Sequence, residues 1–290
     1  MLENSREPAL YLWVNRPSVI IGRNQNIYKE CDLSFMSEND ILPVRRLTGG
    51  GAVYHDMGNL NYSFVIPNTQ YDVKRQNSVV LTALKGLGIR ATSGGRNDIE
   101  VNSMKSGGAA YKRSRDNSLH HGTILIALDK ETASRALTPS HLKLNAKGVD
   151  SVKRRILNLS EIIPSLTVSD VAEAIKRAFG EEYGVPRAIP FDEAAYRSGA
   201  AFFSGKNFIF GSDPPFDLTL EARLDIGTVA LALSVKNGVI KDASLSGDYL
   251  DEELGAELRS ALVGTKLKDL KLTLSLNARL NALSPLADRI

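Results

Sequence analysis

From Asn59 to Ile66 the chain reads NLNYSFVI, with Leu60, Tyr62, Phe64 and Ile66 at every second position, the period of a strand. Upstream, ALYLWVN and SVIIG are short, β-rich and broken by RPS, which predicts two strands joined by a tight connection. YKECDLSFMSEND has mixed apolar spacing and is read as a helix, whereas ILPVRRLT and AVYH predict extended chain on either side of three glycines. Downstream, IRATSG, NDIEVN, KSGGAAYKR and SLHHGTILIALD predict a series of strands punctuated by glycine.

The period changes in YDVKRQNSVVLTALKGLG, where Val73, Val80, Leu81, Leu84 and Leu87 fall near one helical face and Gly86 and Gly88 stop it. TVSDVAEAIKRAFGEEYG is a second helix, opened by a Ser/Asp cap region and closed by Gly184. From about Val185 to Pro215 proline, glycine and serine gather without periodicity, the texture of a linker. Beyond it, two alternating runs flank Lys236-Asn237-Gly238, a hairpin signal because Asn-Gly readily adopts left-handed turn conformations. DEELGAELRSALVG then reads as a helix. The pattern predicts an α+β fold with largely antiparallel sheets flanked by helices: a catalytic domain over 1–184, a linker over 185–215 and a small β-β-α domain over 216–290.

Composition narrows the function classes. At 290 residues, with 43% hydrophobic and 24% charged residues, the chain matches an ordinary soluble globular protein, and no apolar run is long enough to cross a bilayer. MLENSREPAL has neither a secretory nor a transit pattern, so the expected address is the cytoplasm. One cysteine, Cys31, and four histidines exclude a disulfide framework and the usual zinc cages, so any metal would be held by oxygens. A net charge of +3 without an aromatic-interleaved basic stripe argues against nucleic acid and for a small anionic ligand or an acidic protein partner.

The three glycines lie between strands. A phosphate-cradling P-loop needs Lys and Ser/Thr directly after its glycines, and a dinucleotide fold needs a helix there, so both are excluded. Four segments carry functional residue types that periodicity does not explain: RRLTGGGAVYHD, GGRNDIEV, KSGGAAYK and LHHGTILI. The first offers Arg45, Arg46, the bare backbone of Gly49–Gly51 and the His55-Asp56 pair, or else no more than a glycine-rich hairpin. Asn97 and Asp98 are either a turn or oxygen donors to Mg²⁺ beside a phosphate. Lys105 is either a surface lysine or one reaching into a site where backbone and ligand lie close. His120 and His121 point to opposite faces of a strand, so at most one faces a pocket.

Taken together and in this order, RRLTGGGAVYHDMGN, GRND, KSGGAAYK and HHGTIL closely resemble the motifs of the lipoate-protein ligase A family, within the biotin/lipoate ligase superfamily. The likeness extends upstream to IIGRNQNIYKEC and downstream to LKLNAKGVDSVKRRILNL. By the resemblance, the family usually opens with a further strand and helix, and the chain is expected to start near the strand that follows them; GKNFIFG stands where a Trp-rich stretch is usual. The resemblance implies an enzyme that converts free lipoic acid and ATP, with Mg²⁺, to lipoyl-adenylate and pyrophosphate. It then passes the lipoyl group to a lysine of a lipoyl domain of a 2-oxoacid dehydrogenase E2 subunit or of the glycine-cleavage H protein.

By the same resemblance Lys105 is catalytic, and Arg45, Arg46, Thr48, Gly49, Gly50, Gly51, His55, His121, Gly122 and Thr123 surround lipoate. Arg46, Gly51, Ala52, Val53, Tyr54, Asn97, Asp98, Lys105, Lys143, Lys147, Gly148 and Arg154 contact ATP or the adenylate, with Asp98 as the Mg²⁺ ligand. The expected molecule is a monomer without membrane or nucleic-acid partners, whose C-terminal domain repositions once the adenylate forms. Rival readings are an octanoyl or lipoyl transferase using Cys31 as nucleophile without ATP, and a non-catalytic protein that binds lipoate or a lipoyl domain. The motif carrying Cys31 also occurs in the ligases, so Cys31 is read as a packing residue.

Overall fold

The computed structural model describes residues 5–95, 97–137, 156–190, 192–210, 218–236 and 238–289. In chain order its elements are β1 (Ala9–Trp13), β2 (Ser18–Ile21), α1 (Ile27–Glu30), α2 (Leu33–Glu38), β3 (Leu42–Arg45), β4 (Val53–His55) and β5 (Asn59–Pro67). Then come α3 (Val73–Gly86), β6 (Ala91–Gly94), β7 (Asp98–Val101), β8 (Met104–Arg113), β9 (Asn117–Leu125), α4 (Lys130–Ala136) and α5 (Val168–Tyr183). The chain continues through α6 (Glu193–Phe203), α7 (Lys206–Phe210), β10 (Leu218–Leu224), β11 (Gly227–Lys236), β12 (Val239–Gly247), α8 (Leu254–Leu262) and α9 (Leu270–Leu276).

Six strands form the main sheet in the order β1-β5-β9-β8-β7-β6, every neighbouring pair antiparallel. The alternation in β5 decides its faces. Leu60, Tyr62, Phe64 and Ile66 pack with Val79, Val80, Ala83 and Leu84 of α3 and Val171, Ile175 and Phe179 of α5, and the rings of Phe64 and Phe179 stack 6.0 Å apart. Burying each such side chain stabilises the fold by about 1.5–3 kcal/mol. Asp72 caps α3 by accepting from the amides of Lys74 and Arg75, and Thr167 with Asp170 forms a capping box on α5. The cap on α5 is thus Thr167, just ahead of the Ser/Asp pair.

β1 and β2 do not pair with each other. β1 is an edge of the main sheet, while β2 is the centre of a second sheet, parallel to β3 and antiparallel to β4. The region expected as one helix is two, because Asp32 stops the first turn and caps the next by accepting from the Phe35 amide. Behind the small sheet, Val19, Ile21, Ile27, Cys31, Phe35, Met36 and Tyr54 form a separate core.

The stretch expected as an aperiodic linker contains α6 and α7, and α6 has most of its described residues exposed. The C-terminal unit is larger than β-β-α: β10 adds a third strand, and α8 and α9 pack through Leu254, Leu258, Leu262, Leu270 and Leu274 onto Leu231, Leu233 and Ile240. No helix among the described residues is long and apolar enough to cross a membrane.

Candidate active site

The triglycine segment connects β3 to β4 and passes over the polar face of the main sheet. Gly50 takes φ +91°, and Gly22 permits the approach of the loop, since a Cβ there would lie 2.0 Å from the Gly50 carbonyl oxygen. Glycine is therefore needed on both sides of this crossing.

Consecutive arginines leave β3 in different directions. Arg45 is 7% exposed and turns away from the loop: its guanidinium donates to the carbonyls of Gly22, Arg23 and Gln25 and to those of Phe208 and Ile209 on α7. Arg45 thus clamps α7 to the turn after β2 through backbone carbonyls. Arg46 turns into the loop. It donates to the carbonyls of Gly49, Gly51 and Ile20 and to Thr48 Oγ1, and burial lowers its pKa to about 10. No carboxylate among the described residues pairs with it. A buried cation held only by neutral acceptors is poised for an anion.

On β9 the two histidines separate as the pleat requires. His121 Nε2 lies 2.7 Å from Thr48 Oγ1, tying the sheet to the root of the loop. His120 goes to the opposite face, 0% exposed among the rings of Tyr62, Phe64 and Tyr111, with both ring nitrogens lacking hydrogen-bond partners. Gly122 faces that same core, where a Cβ would lie 2.4 Å from Tyr62 Oη, while Thr123 on the polar face accepts from the Gly108 amide through Oγ1. His55 is 5% exposed. Its Nδ1 is 2.9 Å from Asn15 Nδ2, which can only donate, so the neutral ring carries its proton on Nε2. Burial, with Arg46 adding for His55 and His121, lowers the pKa of His55, His120 and His121 to about 3. All three rings are neutral at pH 7.

Lys105 sits near the start of β8, paired with Glu100, and its Nζ lies 2.7 Å from Asp98 Oδ1. The ammonium rests over Gly108, where a Cβ would come within 3.2 Å of it. Gly108 pairs with both Asp98 and Thr123, so Asp98, the Lys105 ammonium and Thr123 lie in one row, beside the row in which Ala110 pairs with His121. Asn97 is a strap: its side-chain amide donates to the Ala109 carbonyl and its own carbonyl accepts from the Ala109 amide. Ala52 and Val53 are half-buried at the exit of the loop, whereas the Tyr54 side chain belongs to the core behind the small sheet, leaving its backbone for any ligand. Lys143, Lys147, Gly148 and Arg154 lie outside the described residues.

Two positions escaped the sequence reading. Asn15, which orients His55, carries no local signal. Glu252 of the C-terminal unit contacts Lys112 and Arg23 at separations of 140 and 229 residues, beyond the reach of any local pattern.

A family model of the lipoyl protein ligase A/B catalytic domain matches residues 1–180, and one of the bacterial lipoate protein ligase C-terminus matches residues 213–283. The chain belongs to the lipoate-protein ligase A family. It is 35% identical over 275 residues to lipoate-protein ligase A of Psychrobacter cryohalolentis, covering 91% of this chain and 81% of that one. The fold matches that of P. falciparum LipL1 solved with lipoate, at TM-score 0.83 and 32% identity over 98% of this chain and 88% of that one. A lipoate-protein ligase A solved with ATP matches at TM-score 0.62 and 28% identity, over 70% of this chain and 86% of the other. Family and fold together make the chain a ligase whose α+β catalytic fold carries a C-terminal domain.

Proposed function

We propose that this ligase activates free lipoic acid with ATP and then lipoylates a lysine of an acceptor lipoyl domain. In the first step a carboxylate oxygen of lipoic acid attacks the α-phosphorus of ATP. The bond to the bridging oxygen breaks, and pyrophosphate leaves with the electron pair. In the second, the neutral ε-amine of the acceptor lysine attacks the acyl carbon, AMP departs, and the nitrogen loses a proton to leave an amide.

Both steps gather negative charge on oxygen, and the chain supplies two cations for it. Arg46, already desolvated and without a carboxylate partner among the described residues, faces the phosphate. Lys105 meets the acyl oxygen, where its ammonium offsets the charge that develops as the amine arrives. The loop from Thr48 to Gly51 and the neutral rings of His55 and His121 wall the acyl chain. Asp98, partly exposed, fits Mg²⁺, which keeps most of its waters and takes one or two carboxylates. When bound, the ion would neutralise the phosphates.

The observation that carries the reading is Lys105, whose ammonium is held by one carboxylate above a residue without a side chain, in the row next to His121. A thioester route through Cys31 has no support in its surroundings: the residue is 5% exposed, and burial followed by the Glu30 charge pushes the thiol up to about 12. Acceptors would be lipoyl domains of 2-oxoacid dehydrogenases or the glycine-cleavage H protein. Mass spectrometry of an apo lipoyl domain incubated with the enzyme, lipoic acid and Mg-ATP tests the reading. Lys105→Ala should slow modification by about 10²–10³-fold. Normal lipoylation by that variant, or modification without ATP, refutes it.

A further inference from the structure

Asn15 lies in the connection between β1 and β2, where the chain leaves the main sheet for the small one. Three residues on, Ser18 pairs with His55 of β4, and the Asn15 side chain meets the imidazole there, Nδ2 to Nδ1 at 2.9 Å. Tyr54 belongs to the core behind the small sheet, so its neighbour His55 projects from the opposite face of β4. That face is the side of Arg46, which donates to the Ile20 carbonyl two residues along β2 from Ser18, and whose charge acts on both His55 and His121.

The three neutral rings differ in what they have left to donate. His120 faces the core, and His121 meets Thr48 through Nε2. His55 accepts at Nδ1, so its one proton sits on Nε2, and that nitrogen is buried with no hydrogen-bond partner among the described residues. A buried donor left open costs stability, and the Asn15 amide is what creates this one. An acceptor in the same place would draw the proton to Nδ1 and leave only a lone pair on Nε2.

We propose that Asn15 is a positioning residue of the ligase: its amide holds the His55 proton on Nε2, where the ring donates it to a carboxylate oxygen of the bound acid on the Arg46 side. A neutral donor suits this place because it adds a hydrogen bond to the anion without setting a second positive charge beside Arg46. The other carboxylate oxygen is left to Lys105. That the acid is lipoic acid rests on the function proposed above, but the position of the proton does not.

Asn15→Asp keeps the size of the side chain and reverses its role, since a carboxylate only accepts. Long-range ¹⁵N–¹H NMR on the ligand-free full chain at about pH 8.5, above the ordinary imidazole range, reads which ring nitrogen carries the proton. The chain has four histidines, and the His55 signals are those lost in His55→Gln. The wild type should carry the proton on Nε2 and Asn15→Asp on Nδ1. Calorimetry with lipoic acid should then show binding about ten- to hundredfold weaker in Asn15→Asp. Asn15→Leu removes the donor without adding charge. It should let the proton reach Nδ1 part of the time and weaken binding about three- to tenfold, which separates loss of the proton from repulsion by a new carboxylate. A wild-type proton on Nδ1 overturns the proposal, as does a proton that stays on Nε2 in both variants, or wild-type affinity in a variant whose proton has moved. The proton is read without ligand, so its failure is distinct from a failure of the ligase reading, which would show as a wild type that binds no lipoic acid.

Discussion

Three buried neutral histidines make stability fall steeply on mild acidification, and His120→Phe isolates one of them. Each of His55, His120 and His121 has its pKa lowered from 6.5 to about 3, chiefly by burial. Between those values the unfolded chain binds a proton that the folded chain refuses. Stability therefore rises with pH through this window and is fully present above 6.5. At about pH 5 each ring has removed roughly 2 kcal/mol, and the three together about 6 kcal/mol, against a total stability of typically 5–15 kcal/mol. The carboxylates of Asp170 and Asp242 are held below 3.8, chiefly by hydrogen bonds from Thr167 and Arg259, and lose their contribution at lower pH than the histidines do. His120 is the ring to remove because it lies on the core face of β9, opposite His121, and phenylalanine keeps its contacts with Tyr62, Phe64 and Tyr111. Urea unfolding at a series of pH values should give a stability slope that climbs from near zero at about pH 7.5 to about three protons near pH 5 in the wild type and about two in His120→Phe, with an unchanged m-value. Equal slopes near pH 5, or a wild-type slope below one proton there, would show that these rings titrate in the folded state and refute the reasoning.

Gly122→Ala places a methyl 2.4 Å from Tyr62 Oη and 2.6 Å from the Gly108 carbonyl oxygen, so the main sheet must part; a loss of about 3 kcal/mol is expected in chemical denaturation, and a loss below half of that would mean the strands yield freely. Cys31→Ser should retain lipoylation within about twofold while losing about 1–3 kcal/mol of stability from the buried hydroxyl. Abolished turnover in that variant, with an acyl-thioester trapped on the wild type, would instead make Cys31 a nucleophile.

The strands of the main sheet were legible because a half-buried strand writes its period into the sequence, and α3 and α5 because caps and glycine stops frame a helical face. Their pairing was not legible. That β1 leaves β2 to join β5 is decided by contacts such as Trp13 with Asn61, which no local pattern encodes. α6 was missed because its apolar side chains, Tyr196, Phe202 and Phe203, remain exposed and impose no buried stripe. β10 is a different case, since Leu220 and Ala222 do alternate inward and the signal was present.

In the site, the chemistry was readable and its division of labour was not. Two adjacent arginines offer identical guanidinium groups on paper, yet the pleat of β3 sends them apart. Arg45 meets five backbone carbonyls in holding α7, and Arg46 meets a loop and, among the described residues, no carboxylate. The distinction follows from what each charge lacks in the folded chain. A cation saturated by carbonyls of distant segments acts as a clamp, and one desolvated beside a side-chain-free loop gains most from an incoming phosphate. For the same reason Asp98 has two partners in prospect: it holds the Lys105 ammonium over Gly108, and in the proposed reaction it is the carboxylate that would hold Mg²⁺, whose charge would offset that of the phosphates.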